Sequence, residues 1–270
     1  MFNFGYIGTS IAAGIFLIQT LPKKHKAWGR RTSQILVGSY MLFFLGLFGK
    51  ENMQIEGFFM LLLSGVFAAA TMHYVIAKIV GPLVFGRAWC SYTCWTAMIL
   101  DLLPHKRPEN KRIKGLGLIR YIYFFLSLGL VLFIWYVLKK PVEPQSTGEL
   151  YWLVAGNILY YVLGILLALK LKDNRAFCKY ICPIPVLQKI TSRFSLLKIK
   201  IDPNKCIDCG KCEKVCPMDV NLLAYKNQNQ RILATECIWC STCAYECPEN
   251  AITSTIGFDM GLKDKLYFRP

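Results

Sequence analysis

Cysteine spacing carries the chemistry that this sequence can do. Twelve cysteines are present. Eight lie in two runs, CIDCGKCEKVCP at 206–217 and CIWCSTCAYECP at 237–248. Both read C-x2-C-x2-C-x3-C-P. A [4Fe–4S] cube needs a thiolate at each of its four iron corners. Three come from one tight loop, and the fourth cysteine of the run serves the other cube. The spacing therefore predicts one cluster on Cys206, Cys209, Cys212 and Cys247, and a second on Cys237, Cys240, Cys243 and Cys216. Pro217 and Pro248 turn the chain away from each site, and Gly210 relieves crowding where backbone meets cube. Zinc would use two separated C-x2-C units. Two adjacent cubes point to electron relay, since one would serve a structural role. No set of catalytic acid and base residues is visible.

The remaining four cysteines form two C-x3-C pairs, Cys90/Cys94 and Cys178/Cys182. Arg87-Ala-Trp-Cys90 is echoed by Arg175-Ala-Phe-Cys178, 88 residues later. Residues four apart on a helix share a face, so each pair is expected to present two thiolates side by side. A pseudo-twofold relation between the two segments would bring all four together. The expectation is a third iron–sulfur cluster at the membrane surface, with Arg87 and Arg175 offsetting thiolate charge. Redox-active dithiols, structural cysteines and another metal are the alternatives. A stable disulfide is disfavoured in a reducing cytosol.

The elements that must position these residues are apolar. The 270-residue chain is 54% hydrophobic and 18% charged, with a mean hydropathy of +0.38. Soluble domains carry about 25% charged residues, and this aromatic content excludes disorder. Five stretches approach the ~20 residues that a helix needs to cross a bilayer: 3–21, 33–49, 57–80, 117–138 and 150–170. Gly81-Pro82 is the expected break after the third. The first run lacks a basic leader and is read as a retained helix rather than a signal peptide.

The fold class expected is mainly α. A polytopic helical membrane domain (1–183) has about five transmembrane helices and a two-fold internal repeat. An amphipathic linker helix (184–200) buries Val186, Leu187, Ile190, Phe194 and Leu197 along the membrane surface. A two-cluster, bacterial ferredoxin-like α+β domain (201–270) follows.

Charge is uneven. Residues 1–200 hold 24 Lys/Arg against 7 Asp/Glu, out of 32 and 16 in the whole chain. The basic residues flank apolar runs and do not form one stripe, which excludes nucleic acid as a partner. Alternate loops hold 19 Lys/Arg against 3, so the basic side is cytoplasmic. Five spans then place the N-terminus outside and the cluster domain in the cytoplasm; four would place the N-terminus inside. The basic segment Asp101–Arg120 is expected to meet anionic lipid headgroups or an acidic carrier.

Of three histidines, only His73 falls in a span, which argues against a transmembrane b-type haem. His25 and His105 fall in basic loops. His73, beside Tyr74 and Lys78, could hydrogen-bond a quinone headgroup; a bond to a neighbouring helix is the alternative.

The tail resembles bacterial two-cluster ferredoxins over about 60 residues. Together with the polytopic helices and the two C-x3-C motifs, it resembles the NapH type. Those proteins are membrane-bound quinol dehydrogenase components of periplasmic nitrate reductase systems. The C-terminal half of NosR is similar, as are polyferredoxins of methylamine utilisation and oxidase assembly. Two departures stand out. Trp95 replaces the proline that Pro183 keeps after the second motif, and the first span exceeds the usual four. The resemblance implies electron transfer between the quinone or menaquinone pool and a partner oxidoreductase, through 4Fe–4S clusters in a bacterial or archaeal inner membrane. Membrane lipid, quinone and a redox subunit are the implied partners. An electron-donating assembly factor for a metal-containing respiratory enzyme and a redox-sensing polyferredoxin are the rivals.

Overall fold

A computed structural model of the chain describes residues 3–109, 112–139 and 145–259. Lys111 and Lys140, counted above among the loop charges, lie outside the described residues. Helix α1 (Phe4–Thr20) is capped by the Asn3 side chain, which accepts from the Tyr6 amide. It packs on α2 (Lys23–Phe48) at two glycines. A Cβ on Gly14 would lie 2.7 Å from the Gly29 carbonyl oxygen, and one on Gly29 would lie 2.6 Å from that of Gly14. Any side chain here would push the helices apart.

Helix α2 corrects one expectation. The basic residues from Lys23 to Arg31 lie on a 26-residue helix, not in a loop. Pro22 precedes it, and Lys and Arg extend helices readily. Its last turns, Tyr40–Phe48, are π-helical.

The third expected span divides. Helix α3 (Ile55–Leu63) ends in a turn at Gly65, whose φ is +67°. Helix α4 (Ala69–Phe85) follows, with a π-helical stretch at Tyr74–Val80. Helices α7 (Leu116–Tyr136) and α8 (Thr147–Leu171) lie where the hydropathy places them. Contacts fix the path of residues 49–63. The Asn52 amide donates to Glu149 in the first turn of α8. Gln54 lies two turns further along, where a Cβ on Gly156 would come within 2.0 Å of its Oε1. Helix α3 then runs beside α7, with Glu56 bonded to Tyr123 and Ser127. The segment therefore enters between the helices, turns at Gln54 and runs back out. A hydropathy window reads the outward limb of this hairpin and α4 as one continuous run.

Among the described residues, three helices (α2, α7, α8) are long and apolar enough to cross a membrane. Helices α1 and α4 are shorter, at 17 residues each, or about 25 Å.

Short helices carry the C-x3-C motifs: α5 (Ala88–Tyr92), α6 (Trp95–Leu100), α9 (Ala176–Tyr180) and α10 (Ile184–Ser192). The expectation of one helix per cysteine pair is overturned. Cys90 and Cys178 lie on α5 and α9, whereas Cys94 caps α6 in extended backbone and Cys182 precedes α10. The linker is also shorter than a helix over 184–200. It ends at Ser192, and Leu197 and Lys200 belong to strand β1 (Leu197–Ile201), antiparallel to β2 (Ile252–Ile256). Val186 and Leu187 pack towards Phe58 and Tyr74, while Ile190 and Phe194 stay exposed.

Between the strands lie α11 (Lys211–Lys214), α12 (Leu222–Asn227) and α13 (Thr242–Tyr245). Their core joins Ile199, Ile201, Met218, Val220, Ile232 and Ile252 to the buried cysteines.

Candidate iron–sulfur electron-transfer site

The two ferredoxin runs fold alike. Left-handed backbone occurs at Asp208 and Gly210 in the first, and at the equivalent Trp239 and Ser241 in the second. It recurs past each proline, at Asp219 and Asn250. These reversals turn successive cysteines to one side of the loop. Cys206, Cys209, Cys212 and Cys247 line one cavity. Cys216 interacts electrostatically with Cys237 and Cys240, and Cys243 with all three. The sulfurs of Cys216 and Cys247 each accept an amide N–H at 3.4 Å, from Val220 and Ala251. Such bonds stabilise charge on ligating sulfur. Burial pushes the Cys212 and Cys237 thiols up to about 11 and Cys216 to about 12, so an ionised sulfur here needs a cationic partner. All-thiolate donor sets lined with amide donors fit cubes, which accept and release single electrons when bound. Among the described residues, no three His, Cys, Asp or Glu side chains converge on a single ion.

The other four cysteines also meet. Cys90, Cys94, Cys178 and Cys182 line one cavity between the two halves of the helical domain. Tyr74, Lys78, Gln54 and Tyr160 line its membrane side, and Ile238 of the second ferredoxin run lines it opposite. Burial raises the Cys178 thiol to about 11, against the pull of Arg175, and lifts Cys182 well above its ordinary value. Arg175 Nη1 lies 3.9 Å from the Cys178 sulfur and donates to the Cys90 carbonyl at 3.1 Å. The Cys90 thiol donates to Gln188 Oε1 at 3.0 Å.

Arg87 and Arg175 both border this cavity, yet they pair differently. Arg175 and Arg30 share Asp101, at 2.6 and 2.7 Å. Arg87 reaches Glu236, next to Cys237, at 2.7 Å. Arg112, Arg120 and Lys189 converge on the same carboxylate. Lys179, fully buried, bridges Asp173 and Asp219. Arg107 pairs with Glu246. The arginines of the basic segment thus turn to this chain's own ferredoxin domain, and the lipid-facing expectation gives way for Arg107, Arg112 and Arg120. His73 is buried, with its ring about 6.1 Å from those of Trp89 and Trp95. Sequence reasoning missed Glu236, Asp101 and Gln54. For Asp101 the available signal was how few acidic residues the first 200 positions contain, each costly to bury in an apolar setting; Glu236 and Gln54 had none.

Fold and cysteine array together define an iron–sulfur electron-transfer protein built on apolar helices. The family model described as a 4Fe-4S dicluster domain matches residues 198–248. A second, a 4Fe-4S binding domain, matches twice, at 67–114 and 157–202. The Methanocaldococcus jannaschii protein MJ0749 is 28% identical over 230 residues, covering 83% of this chain and 85% of its own. The ferredoxin-type protein NapH of Haemophilus influenzae is 29% identical, covering 64% of each chain. The methylamine utilization ferredoxin-type protein MauN of Paracoccus denitrificans is 29% identical, covering half of each. No solved structure matches. The chain is similar to the NapH-type 4Fe-4S polyferredoxins.

Proposed function

We propose that this chain passes electrons between the quinone or menaquinone pool and a partner oxidoreductase. Cys206, Cys209, Cys212 and Cys247 hold one cube, and Cys237, Cys240, Cys243 and Cys216 the other. Cys90, Cys94, Cys178 and Cys182 hold a third cluster, with Arg87 and Arg175 beside it. The observation that carries this reading is the shared cavity, where all four C-x3-C cysteines meet Ile238 from between Cys237 and Cys240. The repeated match to a 4Fe-4S binding family over both motifs supports it. The chain is a multi-pass protein of the inner membrane, with the ferredoxin domain on the basic, cytoplasmic side. Quinol meets the helical domain near His73.

Two measurements test the reading. Iron per purified chain is expected at about 12, three cubes of four; about 8 removes the third cluster. Anaerobic mixing with a menaquinol analogue is expected to bleach the iron–sulfur absorbance, and a quinone-site inhibitor to block it. Clusters reduced by dithionite but untouched by quinol would overturn the quinone link. A His73→Ala variant with unchanged quinol affinity and turnover would remove His73 from the site.

A further inference from the structure

Three carboxylates are buried in the helical domain: Glu51, Glu56 and Glu149, at 5%, 8% and 2% exposure. None forms an ion pair among the described residues. Glu51 accepts from the Ala70 amide at 3.0 Å and from Gln145 Nε2 at 3.2 Å. Glu149 Oε2 accepts from the amides of Asn52 (3.3 Å) and Gln145 (3.4 Å). Glu56 Oε1 accepts from Ser127 Oγ (2.7 Å) and Tyr123 OH (3.2 Å). The second oxygens, Glu56 Oε2 and Glu149 Oε1, have no partner among the described residues.

Glu56 and Glu149 line one cavity of about 10 Å3, bounded by Asn52, Met60, Val131 and Trp152. That volume is about the size of one water. One end of the polar seam is exposed at Gln145. Its other end reaches the cysteine cavity. Gln54 lines that cavity, as does Tyr160, whose ring stands edge-on to Tyr123 at 6.1 Å. A carboxylate without a cation is costly inside apolar protein, and one on the path between solvent and a redox centre is poised to carry protons.

We propose that Glu56 and Glu149 form a proton-exchange pair coupling the charge of the clusters to the solvent at Gln145. An electron delivered to the clusters, by quinol or by dithionite, adds one negative charge. One proton from water then enters past Gln145 onto the pair, and it leaves by the same route on reoxidation. The inference rests on the electron-relay reading above.

Reduced-minus-oxidised infrared difference spectroscopy tests it, on the full-length protein in lipid vesicles with dithionite as reductant. The wild type is expected to gain a protonated-carboxyl C=O band on reduction, downshifted in D2O. Glu56→Gln and Glu149→Gln should lose that band while keeping wild-type iron content and full bleaching. Ser127→Ala, which removes a bond to Glu56, should move its frequency. An exposed control, Glu109→Gln, should leave it in place. No such band in the wild type, or an unchanged band in the glutamine variants, overturns the proposal. If a glutamine variant fails to assemble its iron, an unmoved band in Ser127→Ala does the same. Failure of quinol to bleach the wild type sinks the quinone reading instead, and leaves the dithionite spectra to decide this one.

Discussion

The Glu236 carboxylate of the ferredoxin domain lies 2.7 Å from the Arg87 guanidinium of the helical domain, and both side chains are buried. Arg120, Arg112 and Lys189 complete the surround. Burial alone would raise the Glu236 carboxyl, but these cations hold it well below the usual carboxylate range. Arg87 opens the first C-x3-C motif and Glu236 immediately precedes Cys237, so one ion pair ties the membrane cysteines to the second ferredoxin loop. Removing one partner of a buried pair costs about 3–5 kcal/mol, because the others keep uncompensated charge. Glu236→Ala is therefore expected to loosen the domain junction by about that much. Hydrogen exchange across 197–256 and denaturant unfolding would show it. An exchange pattern equal to that of the wild type would mean that apolar packing alone holds the domains.

The re-entrant segment depends on a close approach at Gly156. A Cβ there would stand 2.0 Å from Gln54 Oε1, and overpacking of this kind costs roughly 1–3 kcal/mol. Gly156→Ala is expected to lower thermal stability by that order. Gln54→Ala in the same chain should restore part of the loss, since the two changes share one space. A double variant no better than the single would show that the clash is relieved elsewhere.

Legibility in the sequence varied with how local the physics is. The cysteine runs set their own backbone: Asp208, Gly210, Trp239 and Ser241 are left-handed because the spacing demands tight reversals. Helices α7 and α8 follow from uninterrupted apolar composition. The hairpin at 49–63 was not legible, because its turn-back at Gln54 depends on a glycine in α8, about 100 positions away. Nor was the pairing of Arg87 with Glu236, 149 residues apart. The motif arginines looked like partners for thiolates, and Arg175 does approach Cys178. Nothing local in RAWC or RAFC distinguishes their fates.

Lys189 gives the junction a pH dependence. Burial, reinforced by Arg120 and opposed by Glu236, lowers its ammonium from 10.5 to about 8. The unfolded chain keeps that proton up to its ordinary value, so between about pH 8 and 10.5 the unfolded state binds more protons. Stability then rises with pH through this window. The gain is at most about 3 kcal/mol, at 1.4 kcal/mol per unit. Unfolding midpoints of the wild type and Lys189→Met, compared from pH 7 to 10, are expected to diverge upwards for the wild type only. Parallel curves would mean that Lys189 keeps its charge throughout.

For the relay proposed above, the order follows from which loop faces which surface. Ile238, between Cys237 and Cys240, borders the cavity of the membrane cysteines, and Trp239 lies 6.2 Å from Tyr92. Cys209 in the other run is exposed, and its neighbour Ile207 is 61% exposed. An electron leaving the helical domain therefore reaches the second ferredoxin loop first and the solvent edge through the first. An apolar side chain beside an exposed redox ligand suits brief docking of a carrier, where packing sets affinity and charge sets the encounter rate. Ile207→Glu is expected to slow reduction of a soluble acceptor, through its concentration dependence, while quinol or dithionite still bleaches every cluster. Loss of the first cube through Cys209→Ser should abolish acceptor reduction and leave the remaining clusters reducible. Stopped-flow absorbance separates the two arms. An acceptor reduced at the wild-type rate by Cys209→Ser would place the exit at the second cube, and the order argued here would be reversed.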